Sequence, residues 1–336
     1  MITATNKILF AFGQRDKECF WPGYTLQSMF GDACETIEAY PTSTAELQEL
    51  LLAHQPRVLV TGWDTPVLPI DAEVSYVCHL AGSVKPLVPR KLLEKGLIVT
   101  NWGSVISPLV AEHAILLVLG ALRSVALWSS YIDAWHNETS QPPIALQTRS
   151  LKGRRIGIHG FGAIAREIVA RLKPFGVTIS SYSAGVPSEL FRSHNVAECS
   201  TLEDLFSTSD VLIECEALTP ESRGSVNAFV LSLLPHDAVF VNVGRGLVVD
   251  ETALHAAVVE GCIRVALDVF QEEPLRKDSV WIDEPSALCS PHIAGPTNDS
   301  WDVCREICLK NIERYLSGRV ESLEGVVTLD IYDRAT

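Results

Sequence analysis

The chain has 336 residues, enough for two ordinary domains, and its 47% apolar and 20% charged content without low-complexity tracts excludes a largely disordered polypeptide. A net charge of −14 disfavours nucleic acid and anionic membrane as partners, because both are held by clustered Lys and Arg. Nine scattered cysteines with no Cys-x-x-Cys pair indicate neither a disulfide framework nor a metal site, and fit free thiols in a reducing cytoplasm.

At the N-terminus, MITATNKILFAFGQR has a short apolar run but no basic leader or small-residue cleavage site, so no export is expected. Over the first hundred residues KILFAFG, ETIEAY, RVLVTGW, VSYVCHLAG and LIVTN read as strands. They alternate with helical segments such as Thr44 to Ala53, opened by a Ser/Thr cap signal, and such alternation predicts a parallel α/β sheet. From Pro108 to about Tyr131 the pattern predicts one long apolar helix. Its densest run, Ala114 to Leu122, is far shorter than the roughly 20 residues a bilayer needs. Glu138 to Arg155 is polar and Pro-containing, a connection to a second series of strands: RRIGIHGFG, VTISSYS, VLIECEA, AVFVNVG and IRVALDVF. A terminal helix is expected from about Asn298 to Leu316. The pattern predicts two doubly wound parallel-sheet lobes with ligands at the carboxyl ends of the strands.

Between the strand RRIGIHG and the helix AIAREIVARL lies Gly160-Phe161-Gly162-Ala163-Ile164-Ala165, a G-x-G-x-x-A pattern. Gly160 permits a tight turn, Gly162 lets backbone amides approach a pyrophosphate, and Ala165 lets helix pack on strand. The same residues could form only a tight strand-to-helix turn; the flanking strand and helix favour a bound nucleotide.

Six segments, HLAGSV, VAEHAILLVLGALR, GIHGFGAIA, NVGRGLVVDETAL, ALDVFQEEP and SPHIAG, follow in order between about Val77 and Glu313. With them the chain resembles the D-isomer-specific 2-hydroxyacid dehydrogenases. The resemblance implies a Rossmann-type NAD(P)-binding domain, residues 103–295, inserted in a flavodoxin-like substrate domain, residues 1–102 and 296–336. It also implies a homodimer held largely by the helix after Pro108, and an oxidoreductase that exchanges hydride between NAD(P)H and a small 2-oxo acid or D-2-hydroxy acid. Two other readings stay open. One is a non-enzymatic NAD-sensing interaction protein like the C-terminal-binding-protein corepressors; the other is a formate- or phosphite-type dehydrogenase.

Such chemistry needs a cation for the substrate carboxylate and carbonyl, a proton donor, and a nicotinamide held against the reacting carbon. Arg245, after the strand AVFVN, offers a planar donor fork, although an arginine there could serve a structural ion pair. His292 resembles the family's acid/base, and Glu273 the glutamate that pairs with it and raises its pKa. Related formate dehydrogenases carry glutamine at the position of Glu273. Asp268 resembles the aspartate near the nicotinamide carboxamide, but a strand-end Asp could equally cap a turn. His113 is expected to be a packed, hydrogen-bonded helix residue. Ala81, Gly82 and Ser83 resemble the loop whose amides hold the substrate carboxylate. For the cofactor, the resemblance implies Gly160, Phe161, Gly162, Ala163, Ile164, Ser183, Thr219, Val243, Gly244, Asp268 and Ala294.

The chain departs from the family's pattern at Val84-Lys85-Pro86, where an aspartate is usual, and at Glu214-Cys215-Glu216-Ala217-Leu218-Thr219, where a histidine and a proline are usual. Ser183 stands where NAD-selective relatives place an Asp that binds the ribose hydroxyls and repels a 2′-phosphate. Without that charge, relaxed cofactor choice with a lean to NADP(H) is expected. Arg192, the nearest downstream cation, is either a phosphate ligand or a solvated helix residue.

Overall fold

The central strands form where the sequence shows short Val/Ile/Leu-rich runs, as sheet interiors buried on both faces require. The computed structural model describes residues 6–31, 34–135 and 146–334. It divides into two units, Met1–Ile106 with Pro296–Thr336, and Ser107–Gly295. The expected boundary after residue 102 falls instead after Ile106, because Val105 and Ile106 pack on the core of the first unit.

The first unit holds β1 (Asn6–Ala11), β2 (Cys34–Ala39), β3 (Val58–Thr61), β4 (Tyr76–His79) and β5 (Ile98–Thr100), all parallel, in the order β2-β1-β3-β4-β5. This is the flavodoxin-like order. Phe10, Phe20, Trp21 and Tyr76 fill the layer between one sheet face and the helix Trp301–Leu316, whose Cys304, Ile307, Cys308 and Ile312 are buried. That helix starts a few residues later than the sequence suggested. Beyond it the chain bridges Thr100 antiparallel at Val326 and adds the helix Leu329–Arg334, which no local pattern announced.

The second unit holds β6 (Arg155–His159), β7 (Thr178–Tyr182), β8 (Ala197–Glu198), β9 (Val211–Glu214), β10 (Ala238–Asn242), β11 (Ile263–Leu267) and β12 (Leu288–Cys289). Their order, β12-β11-β10-β9-β6-β7-β8, is the doubly wound dinucleotide-binding arrangement, with its switch point between β6 and β9. The long helix expected from Pro108 to Tyr131 is corrected to Ser107–Leu122. The chain then turns by 62° into a second helical stretch. Ser124 makes the turn in the left-handed conformation (φ 55°), its hydroxyl donating to Leu146 O at 2.7 Å. Among the described residues no single helix is long and apolar enough to cross a membrane. Residues 136–145 of the expected polar connection, and residues 1–5 of the N-terminal stretch, lie outside the described residues.

Candidate active site

Three loops at the carboxyl ends of the second unit's strands carry most of the expected site. The first follows β6. Gly160 has φ 98°, and its amide donates to Tyr182 O at 2.8 Å. A Cβ there would come within 2.8 Å of the Cys215 carbonyl carbon and the Glu216 Cα, so only glycine fits. Gly162 caps the helix Ala163–Leu172 without any side-chain hydrogen bond, and nothing lies within 4 Å of where its Cβ would be. The first-turn amides of Ala163 and Ile164 therefore face an open cradle at the positive end of a ten-residue helix, which suits a pyrophosphate. Phe161 is only 1% exposed and stacks on Phe191 at 4.4 Å, so its backbone alone is available to a ligand.

The second loop follows β10. Asn242 staples it, accepting from the Gly244 amide at 3.0 Å and donating to Arg245 O at 3.3 Å. Val243 is buried, its amide bonded to Glu214 O. A Cβ on Gly246 would overlap the Phe270 carbonyl, so the loop lies tight on the end of β11. Arg245 is half-buried, with Nη1 donating to Gly244 O at 2.7 Å. Burial holds its pKa below the usual guanidinium range, against the opposing charge of Glu273.

The third loop carries His292. Its backbone is left-handed (φ 53°), an unfavourable conformation for a residue with a Cβ. Asp268, at the end of β11, holds it there: its carbonyl accepts from the His292 amide at 2.9 Å, and its carboxylate from Ser290 Oγ (2.6 Å), Ile293 N (2.9 Å) and Ala294 N (3.0 Å). His113 pairs with Ser290 Oγ at 2.9 Å and reaches Asp268 at 3.3 Å. Despite burial, these partners keep the Asp268 carboxyl below the ordinary carboxylate range. These bonds make Asp268 a brace for the loop. The bracing residues Ser290 and His113 lie in family-like segments, but nothing local marks their convergence on one carboxylate.

Glu273 accepts from His292 Nδ1 at 2.6 Å, and its other oxygen from the Phe270 amide at 2.9 Å. The bond to Glu273 raises the His292 pKa although burial lowers it. Burial likewise opposes Glu273, yet the imidazole and the Phe270 amide hold its carboxyl low. With Nδ1 committed to the carboxylate, Nε2 is the ring atom left for proton exchange.

The remaining expected residues separate into two groups. Thr219 closes a local turn: its amide donates to Ser222 Oγ at 2.8 Å and its Oγ1 accepts from the Ser222 amide at 3.1 Å. Ser183, just after β7, donates to Glu216 Oε2 at 2.6 Å, a partner that sequence reading did not foresee. Ala81, Gly82 and Ser83 belong to the first unit, after β4. There Asn101 Nδ2 donates to Gly82 O at 2.5 Å, and a Cβ on Gly82 would meet the Trp102 indole nitrogen at 2.6 Å. The fully buried His79 beneath this loop bonds Thr61 Oγ1 at 2.9 Å, and burial pulls its pKa down to about 4.

A doubly wound sheet with a glycine cradle at its switch point and an Arg, Glu and His at neighbouring strand ends defines a dinucleotide-binding protein of the hydroxyacid dehydrogenase type. Residues 115–294 match the family model for the D-isomer specific 2-hydroxyacid dehydrogenase NAD-binding domain, and the chain belongs to that family. It is 33% identical over 228 residues to a glyoxylate/hydroxypyruvate reductase of Arabidopsis thaliana, covering 67% of this chain and 68% of the relative. It is 31% identical over 237 residues to a D-3-phosphoglycerate dehydrogenase of Methanocaldococcus jannaschii, covering 70% of this chain but only 44% of that longer relative. Among solved structures, an NADPH-dependent glyoxylate/hydroxypyruvate reductase of Sinorhizobium meliloti, in complex with NADP and malonate, superposes with a TM-score of 0.76 at 25% identity, covering 99% of this chain and 100% of the other.

Proposed function

We propose that this chain is an oxidoreductase that interconverts a small 2-oxo acid and its D-2-hydroxy acid, with Arg245, Glu273 and His292 as its catalytic residues. The observation that carries the reading is the imidazole of His292, held in a left-handed loop and bonded through Nδ1 to Glu273 at 2.6 Å, beside the half-buried Arg245. A nicotinamide dinucleotide, when bound, supplies or accepts the hydride. The cradle at Gly160–Ile164 fits its pyrophosphate, and in this reading Val243, Gly244, Thr219 and Ala294 also contribute to the cofactor site. The guanidinium of Arg245 pairs with the substrate carboxylate and polarises the carbonyl. From Nε2, His292 gives a proton to the carbonyl oxygen in reduction and takes it back in oxidation, while Glu273 stabilises the imidazolium and fixes the tautomer. In this reading the first unit binds substrate through Ala81, Gly82 and Ser83.

The acid at Glu273, bonded to an imidazole, favours hydroxyacid chemistry over the formate type, whose members carry an amide there. We further propose a homodimer, supported by Leu116, Trp128, Ile132 and Trp135, apolar side chains that the helices after Ile106 leave exposed. A reducing cytoplasm is supported by nine free cysteines, four of them buried. The test is a panel of 2-oxo acids (glyoxylate, hydroxypyruvate, pyruvate, phenylpyruvate, 2-oxoisocaproate and phosphohydroxypyruvate) assayed with both reduced nicotinamides. Turnover of at least one supports the enzyme; no turnover with any of them transfers the reading to the NAD-sensing protein.

A further inference from the structure

We infer that Glu216 replaces the ribose-binding acid missing after β7, and that it makes the cofactor site selective for NAD(H) over NADP(H). The inference rests on the nucleotide-binding reading above, and it reverses the lean to NADP(H) that Ser183 alone suggested.

Ser183 and Glu216 reach the glycine loop from opposite sides. Tyr182, immediately before Ser183, accepts the Gly160 amide at 2.8 Å. The Glu216 backbone lies against Gly160, near enough to exclude a Cβ. Between them Ser183 Oγ donates to Glu216 Oε2 at 2.6 Å. A carboxylate therefore lies within hydrogen-bond reach of the position from which family relatives recognise the ribose, although it comes from the strand on the other side of β6.

The carboxylate is built in rather than incidental. Glu216 Oε1 accepts from the Ala217 amide at 2.9 Å, and the Glu216 amide donates to Glu214 Oε1 at 2.8 Å. Glu214 is fully buried and its other oxygen pairs with His159 Nδ1 at 2.5 Å, in the register that sets β6 beside β9. Burial works against a charged His159, but the Glu214 and Glu216 carboxylates outweigh it and raise its pKa. The Oε2 of Glu216 thus faces Ser183 with its backbone and its other oxygen already anchored.

Such a group accepts hydrogen bonds from a ribose diol and repels a 2′-phosphate. The cation that a phosphate would want is not aimed at it. Arg192 is two-thirds exposed and paired with Glu189 at 2.8 Å. That exposure and pairing favour the solvated helix residue of the two readings of Arg192.

The test uses ligands that lack the nicotinamide, so that its readout is binding and not turnover. Isothermal titration of the full chain with ADP-ribose and with 2′-phospho-ADP-ribose should give a preference of about 10²-fold for the unphosphorylated ligand, the size expected for a charge-assisted hydrogen bond gained by one and a like-charge contact imposed on the other. Glu216→Gln should shrink that ratio to within about fivefold, mainly by tightening the phosphorylated ligand, because the neutral amide removes the repulsion. Glu216→Ser, which removes both charge and reach, should shrink it too and stands in if the glutamine variant does not fold. Equal or tighter binding of the phosphorylated ligand by the parent overturns the inference, as does an unchanged ratio in the variants. If the parent binds neither ligand, the nucleotide-binding reading falls as well, which separates that failure from this one.

Discussion

Asp268→Asn tests whether a buried carboxylate holds the proton-transfer histidine in place. Asp268 is 1% exposed, so no water can replace a lost partner. Its Oδ1 serves Ser290 Oγ and Ile293 N, and its Oδ2 serves Ala294 N. An asparagine keeps one acceptor and turns the other into an NH₂ group facing a donor. One buried amide left unmatched costs about 1–3 kcal/mol, and loss of charge on the surviving bonds adds about 1 more, for a total of about 2–4 kcal/mol. The left-handed backbone of His292 is itself unfavourable by about 1–2 kcal/mol, so a loosened loop relaxes away from it. A shift of the imidazole by about 1 Å then lowers turnover by about 10²-fold. Urea unfolding at pH 7 gives the first quantity, and kcat for the best 2-oxo acid gives the second. A variant within about 0.5 kcal/mol of the parent, the usual scatter of a neutral substitution, and equally active would refute the bracing role.

Three other outcomes follow from the same geometry. Arg245→Ala should lower kcat/KM by about 10² to 10³ while leaving dinucleotide affinity nearly unchanged, as loss of one preorganised electrostatic donor does; equal turnover would remove Arg245 from the site. Glu273→Gln takes away the carboxylate charge that helps raise the His292 pKa, so the alkaline limb of the reduction profile should move to lower pH, and an unmoved limb would uncouple Glu273 from the titrating group. His79 is neutral in the fold and its pKa is depressed from 6.5 to about 4, so the unfolded chain binds more protons in that window. Its contribution is complete above pH 6.5 and is lost as pH falls toward 4, which predicts roughly 2 kcal/mol less unfolding free energy at pH 5 than at pH 7. His79→Gln, which does not titrate, should flatten that part of the stability profile; the same slope in both proteins would assign it to other groups.

The central strands of both sheets were legible because a parallel strand buried on both faces must be mostly apolar, and VLVT, IGIH, VLIE and AVFVN are such runs. The glycine loop was legible because Gly160 has φ 98° and a backbone neighbour where a side chain would go, demands that only one residue type meets. Arg245, Glu273 and His292 could be named from their segments. The two-residue strands β8 and β12 are too short to carry a period, and the turn at Ser124 depends on a bond to Leu146, so the long helix was read straight through it.

Partners across the sheet could not be read at all. Asp268 and its four ligands span residues 113 to 294, and Ser183 meets Glu216 across 33 residues of chain. Glu216 was visible only as a departure from an expected pattern, and Ser183 only as a missing charge. Hydrophobic periodicity reports whether a residue is buried, and a glycine reports the shape of its own backbone; both are local. Which side chains meet depends on the order β9-β6-β7 and on the register that sets His159 beside Glu214, and those are properties of the assembled sheet. From sequence the cofactor site lacked an acid; in the fold the acid arrives from the neighbouring strand.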